Sequence, residues 1–395
     1  MNERSTAPEL AAYAAEAVQH RRHLHAHPEP SFEEHATQQY IMEQLNSYGL
    51  DPHPIANTGV TALVTGTKGT AADRVLLLCA DIDALHLTEA TGLPFASQNP
   101  GVMHACGHDG HTGALLAVAH WLVDHREQFG GTVKLLFQPA EEISPGGAEP
   151  CVKEGILDAP RVTFVFGIHL WNNLPFGQVG LRAGVFMAEA DRFELTVEGR
   201  GVHAAQPHLG ADPVVAAAYI ITAIQTIVSR ETDPLAARVV TIGTIDGGSA
   251  FNIIPDTVHM TGTLRALSRE DAETGAAAIR RIAVHTAEAL GTSAELDYQF
   301  GYPPVINDQA SVAFLRPILE EAVGRENVVE PAISMGGEDF AYYLQQVPGA
   351  FVFVGTANPA KGMTASHHSP GYTFDEDIFP AVLSVFTSVI TAYLA

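Results

Sequence analysis

The stretch Met103-His-Ala-Cys-Gly-His-Asp-Gly-His111 packs one thiol, three imidazoles and one carboxylate into nine residues. Its glycines let the backbone turn, so that neighbouring side chains converge. Cys106 and His108 are soft and borderline donors, the kind that select zinc and its neighbours over magnesium or calcium. Two donors alone hold a metal poorly, so further ligands have to come from the rest of the chain. They recur at one kind of place, just after short apolar runs. Val75 to Cys79 leads to Asp81 and Asp83, and Val133 to Phe137 leads to Glu141 and Glu142. Val162 to Ile168 leads to His169, and Ala350 to Val354 leads to a loop carrying His367 and His368. One such residue is ordinarily a turn or a cap. Their repetition beside a Cys-Gly-His loop points to a single metal site.

The adjacent glutamates indicate what such a site would do. Consecutive side chains diverge in regular structure, so Glu141 and Glu142 face one site only from an irregular segment, which Pro139 supplies. Amide cleavage at a metal uses one carboxylate on the cation and a second to take a proton from water. Farther along, His203 lies among glycines in Gly199-Arg-Gly-Val-His203, where it reads as a histidine reaching a ligand or as a surface residue. Asn252 sits in the glycine- and proline-bounded loop Gly247-Gly-Ser-Ala-Phe-Asn-Ile-Ile-Pro255. Arg265 ends a strand, where a guanidinium grips a carboxylate bidentately or makes a structural ion pair. Other features read more simply. His20, His23, His25 and His27 decorate a helix end, Cys79 and Cys151 are small buried groups, and His111 supports the ligand loop or starts a helix. Gly336-Gly-Glu338-Asp339-Phe340 lines a pocket or turns the chain.

The elements that must position these groups follow from the pattern. Continuous apolar strands alternate with helical stretches at 9–26, 34–48 and 112–125. This predicts an α/β fold with a mostly parallel central sheet flanked by helices. Ligands in such folds bind beyond the carboxyl ends of the strands, where the metal-type residues fall. From about Ala188 the pattern becomes β-α-β-β-α-β, a smaller α+β domain inserted in the larger one. Asp212-Pro213 starts one of its helices and Ser268 caps the other. The expected division is 1–187 with 304–395 for the catalytic domain and 188–303 for the insert, and 395 residues fit two domains. A net charge of −24 excludes nucleic acid and anionic membrane as natural partners. The apolar run Val214 to Ile224 is too short to span a bilayer. The N-terminal residues lack a cationic start followed by an apolar stretch, and three widely spaced cysteines form no disulfide framework. Both point to the cytoplasm.

Taken together, RRHLHAHPEPSFEE, ADIDAL, MHACGHDGHT, FQPAEE, GIHLW, HAAQPHLGADP, NIIPD, GTLRAL, GGEDFAYY and HHSP run the length of the chain. In these motifs the chain resembles the metal-dependent aminoacylase and carboxypeptidase-type amidohydrolases, in the branch of hippurate hydrolases and indole-acetyl-amino-acid hydrolases. The resemblance implies divalent metal ions, two per subunit (zinc, manganese, cobalt or nickel), held by Cys106, His108, Glu142, His169 and His368. It makes Glu141 the general base and Asp83 a supporting group, and it gives Asp81 no direct ligand role. It implies a lid domain that dimerises, so that the protein is a homodimer or a higher homo-oligomer, with His203 reaching an active site, often the partner's. Asn252 and Arg265 match substrate-binding positions. The implied reaction is hydrolysis of N-acyl-L-amino acids, with N-acetyl, benzoyl or similar acyl groups. A dipeptidase or carboxypeptidase using the same machinery is the rival enzyme. A non-catalytic metal-binding protein is the rival of another class, and the intact Glu141-Glu142 pair argues against it, because binding alone needs no base.

Overall fold

In a computed structural model, which describes residues 8–395, the chain begins with helices α1 (Pro8–Ala26) and α2 (His35–Ser47). Strands β1 (His53–Ile55), β2 (Gly59–Thr65) and β3 (Val75–Asp81) follow, then α3 (His108–Asp124), β4 (Thr132–Gln138) and α4 (Ala148–Lys153). Next come β5 (Phe164–Pro175), β6 (Val179–Gly180) and β7 (Gly184–Met187). The insert carries β8 (Glu189–Glu198), β9 (Val202–His203), α5 (Pro213–Thr226), β10 (Arg238–Gly247), β11 (Ile253–Ile254), β12 (Thr257–Ala266), α6 (Arg269–Ala289) and β13 (Ser293–Tyr302). The last part holds β14 (Val305–Asn307), α7 (Gln309–Val323), β15 (Val328–Val329), α8 (Ala341–Leu344), β16 (Gly349–Ala357) and α9 (Phe379–Tyr393). Two units result. The larger takes the described part of Met1–Phe186 with Ile306–Ala332 and Asp339–Ala395, and the smaller takes Met187–Val305 with Ile333–Glu338.

The larger unit is an α/β structure around an eight-stranded sheet of order β1-β2-β4-β3-β5-β16-β6-β15. Strands β4, β3, β5 and β16 pair in parallel at its centre. β1, β2 and β6 add antiparallel pairings toward the two edges, so the sheet is mixed. β3 is buried at every position, as a strand covered on both faces must be. Two boundaries differ from the sequence expectation, and both matter for the site. Helix α3 begins at His108, so His108 and His111 occupy its first turn. Strand β5 runs through His169 to Pro175, because its ladder with β16 continues from Gly349↔Val165 to Ala357↔Pro175. His169 therefore stands inside a strand instead of after one.

The smaller unit is a four-stranded antiparallel sheet of order β10-β12-β8-β13 with α5 and α6 packed against it. Asp212 caps α5 by accepting from the amides of Val214 and Val215, with Pro213 in the first turn. Ser268 caps α6 through the Asp271 amide. A π turn extends α5 to Glu231, giving a helix of 19 residues long and apolar enough to span a membrane; Glu376–Tyr393 is another, of 18. The first buries Ala216, Ala217, Ile220, Ile224 and Ile227 in the smaller unit's core, and the second packs Phe379, Val382, Leu383, Phe386, Val389 and Ile390 into the larger one's. Each thus has a core to cover.

Candidate metal centre

The site in the larger unit is built by three unusual turns. Gly107 holds φ +91°, and a Cβ there would lie 2.7 Å from the Tyr372 hydroxyl, so only glycine fits. This turn sets Cys106 ahead of α3 and His108 at its start, both buried. After β4, Ala140 at φ +55° turns the chain so that Glu141 and Glu142 converge. His368, itself at φ +59°, comes in from the long loop after β16. Ligand atoms of Cys106, His108 and His169 lie within 4.8 Å of one another. The same holds for Cys106, Glu142 and His368, and for His108, Glu141 and Glu142. Cys106 Sγ is 3.4 Å from His169 Nε2, His368 Nε2 is 3.2 Å from Glu142 Oε1, and His108 Nε2 is 3.9 Å from Glu141 Oε2.

The surrounding hydrogen bonds decide which lone pairs remain available. Buried Asp83 accepts from His108 Nδ1 at 3.1 Å through Oδ1, and its main-chain oxygen lies 3.0 Å from the same nitrogen. Its Oδ2 accepts from the Ser31 hydroxyl at 2.7 Å and the Glu142 amide at 2.9 Å. His108 therefore keeps a proton on Nδ1, which leaves Nε2 as the nitrogen able to meet a cation in exchange for a proton. His169 Nδ1 donates to the Leu170 carbonyl at 2.7 Å, which frees its Nε2 in the same way. His111 is different. Its Nε2 accepts the Leu170 amide at 3.0 Å, so its proton is on Nδ1, facing Asp81 at 3.3 Å. Asp81, His108 and His111 also cluster within 4.8 Å, but His111 has no lone pair left for a cation, and Asp81 serves as its support. His367 spends Nε2 on the Leu170 carbonyl at 2.9 Å and stacks on Trp171, while its neighbour His368 faces Glu142.

Asp83→Asn tests this bracing. An amide cannot accept from Ser31, His108 and the Glu142 amide together, so metal affinity and kcat should each fall by about 10–100-fold. Metal titration and steady-state kinetics on the same sample measure both, and unchanged values would strip Asp83 of this role.

The electrostatics demand positive charge. Burial draws the His108 pKa down, but the Asp83 hydrogen bond and the charges of Asp81, Asp83 and Glu142 outweigh it and push the imidazole up to about 10. His169 falls well below its usual value through burial and the nearby His111, His367 and His108 rings, which suits a neutral ligand. Asp83 is held below the usual carboxylate range: burial raises it, and His108, Ser31 and the Glu142 amide more than compensate. His108 Nε2 and Glu142 Oε1 are buried and find no hydrogen-bond partner among the described residues. Buried polar atoms seldom go unsatisfied. A divalent cation satisfies both, and thiolate, imidazole and carboxylate are the donors that zinc-like ions take.

In the smaller unit, His203 pairs across the β9–β11 ladder with Ile253, and the Ala204 amide donates to the Asn252 carbonyl at 3.0 Å. His203 and Asn252 therefore share one small hairpin. His203 Nδ1 accepts from the Ala205 amide at 3.0 Å, which places the ring proton on the exposed Nε2. Arg265 is half-buried on β12 opposite Ala190, and a Cβ on Gly337 would lie 3.4 Å from its Nη1.

The model of peptidase family M20/M25/M40 matches residues 77–392. The chain is 41% identical over 377 residues to the N-acetyl-L-cysteine deacetylase of Bacillus subtilis (strain 168), covering 95% of this chain and 88% of that protein. It is 40% identical over 379 residues to the IAA-amino acid hydrolase ILR1-like 4 of Arabidopsis thaliana, covering 95% and 84%. The crystal structure of the Bacillus subtilis YXEP protein, a dinuclear metal-binding peptidase of the M20 family, superposes with TM-score 0.79 at 34% identity, covering 97% of this chain and 99% of that one. The chain belongs to peptidase family M20/M25/M40. Like its M20 relatives it is a metal-dependent hydrolase acting on amide bonds.

Some contacts around this M20 site escape the sequence reading, although Arg21 and His25 lie in one of its motifs. His20 and His25, expected to decorate a helix end, are buried. His25 Nδ1 meets Asp109 Oδ2 at 2.8 Å and Arg21 Nε donates to the same oxygen at 3.1 Å, so α1 grips the first turn of α3 beside His108. His20 sits between the hydroxyls of Tyr40 and Tyr48, at 2.7 and 2.9 Å. The one signal for the first contact was the spacing of Arg21 and His25, which puts them on one helix face. Cys79 and Cys151 are buried and take part in no disulfide.

Proposed function

We propose that this M20 enzyme hydrolyses N-acyl-L-amino acids to a carboxylic acid and a free amino acid, with Cys106, His108, Glu142, His169 and His368 as ligands for two divalent cations. The observation that carries this reading is the meeting of three ligand groups that share Cys106, His108 or Glu142, the one of Cys106, His108 and His169 buried throughout, with Glu141 within 4.8 Å of His108 and Glu142. When bound, divalent cations acidify a water and polarise a carbonyl. Zinc, manganese, cobalt and nickel all suit the donor set.

The protein's own groups do the rest. Glu141 takes the proton of the attacking water and delivers it to the departing amine nitrogen. Asp83 keeps His108 in one tautomer and holds the Glu142 amide. His203, with its proton on Nε2, donates to the oxyanion that develops on the acyl carbonyl. Arg265, with Asn252, holds the substrate's α-carboxylate. These local charges act within a few ångströms, whereas the field of a −24 protein is screened beyond about 8–10 Å, so an anionic substrate is tolerated. The smaller unit also offers a surface for pairing two copies. Val214, Val215 and Tyr219 of α5 are exposed, and β10 is an open sheet edge.

The test is hydrolysis of acetylated and benzoylated amino acids, their α-amides and dipeptides by protein loaded with each metal. Free-acid N-acyl substrates should turn over best. Arg265→Ala should lower kcat/KM on them by about 10–100-fold, the loss of a charged hydrogen-bond pair, and leave the α-amides little changed. Equal losses on both would remove the clamp. Preferred dipeptides would favour the rival peptidase, and bound metal without turnover would favour the non-catalytic reading.

A further inference from the structure

We propose that Glu34 is a positioning residue that holds the left-handed turn at Ala140 and thereby aims Glu141 and Glu142. The proposal rests on the roles given to those two residues above. Glu34 lies outside every ligand group and precedes α2, yet it is completely buried. Its Oε1 accepts the Ala140 amide at 2.8 Å, and its Oε2 accepts the Thr58 hydroxyl at 2.5 Å. Thr58 is also fully buried. The carboxyl group is thus steered by one donor and spends its other oxygen on the one amide that precedes Glu141.

That amide needs an anchor. Ala140 has φ +55°, a conformation that residues with a Cβ avoid. Nothing in an isolated Pro139-Ala140-Glu141 segment favours it, so the surrounding structure must impose it. The turn is what allows consecutive glutamates to face one pocket. The segment is gripped at two amides, Ala140 by Glu34 and Glu142 by Asp83. Both grips trace to one short stretch, because Ser31 donates to the same Asp83 oxygen that accepts the Glu142 amide. Pro-Ser-Phe-Glu-Glu34 is therefore the brace of the proton-transfer loop. Packing adds to it: the Pro139 ring fits against Gly59, where a Cβ would lie 2.7 Å from its Cδ. Burial and the Asp83 charge push the Glu34 carboxyl up to about 7, so the grip does not depend on a full charge.

Four variants decide the matter, each measured for kcat, KM, metal affinity and thermal unfolding beside wild type and Glu141→Gln. Glu34→Gln offers one oxygen to the Ala140 amide and should stay close to wild type. Glu34→Ala should lose about 10–100-fold in kcat with little change in KM, and should bind metal more weakly by a similar factor. Glu34→Ala combined with Ala140→Gly should recover most of both losses, because glycine takes φ +55° without help. A merely structural Glu34 would not be rescued by relaxing the backbone at position 140. Thr58→Val keeps the fold if Glu34→Ala does not, and should lower kcat several-fold with KM held. Wild-type kcat and metal affinity in Glu34→Ala, failure of the glycine to restore it, or an unaffected Thr58→Val would each overturn the proposal. Full activity in Glu141→Gln would instead sink the base assignment, and Glu34 would then be judged on metal affinity alone.

Discussion

Glu141→Gln should bind its metals as the wild type does and lose about 10²–10⁴-fold in kcat, the usual contribution of a positioned general base. Glutamine has the shape of glutamate and keeps its contacts in the loop, but it cannot accept a proton. None of the proposed ligands, Cys106, His108, Glu142, His169 and His368, is altered. The loss corresponds to about 3–5.5 kcal/mol of transition-state stabilisation. KM should move little, because the missing interaction exists only while the proton is in flight. Metal analysis and kcat from the same preparation make the comparison. Turnover near wild type would remove Glu141 as the base, and loss of metal would mean that Glu141 is a ligand. The geometry favours the first role. Glu141 Oε2 stands 3.9 Å from His108 Nε2, whereas Glu142 Oε1 is 3.2 Å from His368 Nε2 and is buried without a hydrogen-bond partner among the described residues.

The candidate site residues were legible because an α/β sheet repeats one geometry: apolar strand, then functional residue. Asp83, Glu141 and Glu142 obey it directly, after β3 and β4. His169 obeys it only loosely. The apolar run stops at Ile168, but the ladder to β16 carries the strand onward through His169, Trp171 and Asn172. Those residues are polar or amphipathic yet mostly buried, and Asn172 is satisfied by the Ala365 and Thr373 carbonyls and by Thr356. No periodicity could announce that. β1, β6 and β15, with two or three residues each, exist only through their neighbours. The braces were hidden for another reason. Glu34 and Ala140 are 106 residues apart, and Arg21 and Asp109 are 88 apart. A single polar contact over such a distance leaves no pattern in one sequence. The smaller unit was easier, since Asp212-Pro213 and Ser268 are local signals whose chemistry is complete within a few residues.

Cys106→Ala should cost more metal than His368→Ala. Cys106 belongs to two of the groups, with His108 and His169 on one side and with Glu142 and His368 on the other. His368 belongs to one, and its side chain is 55% exposed. Removing the thiolate would therefore take a donor and a negative charge from both groups, whereas removing His368 spares the set of Cys106, His108 and His169. The affinity loss in Cys106→Ala should exceed the about 10–100-fold typical of outer supports, and activity should vanish with it. His368→Ala should retain the more buried of the two ions. Unfolding gives a readout independent of catalysis. A cation present at about 1,000 times its Kd stabilises the fold by about 4 kcal/mol, so chelation should lower the wild-type melting temperature and leave Cys106→Ala nearly unmoved. The variant removes only one buried sulfur, so a folded apo protein is the expected starting point. Full metal content with normal turnover in Cys106→Ala would mean that the cations sit elsewhere, and the shared-thiolate arrangement would have to be abandoned.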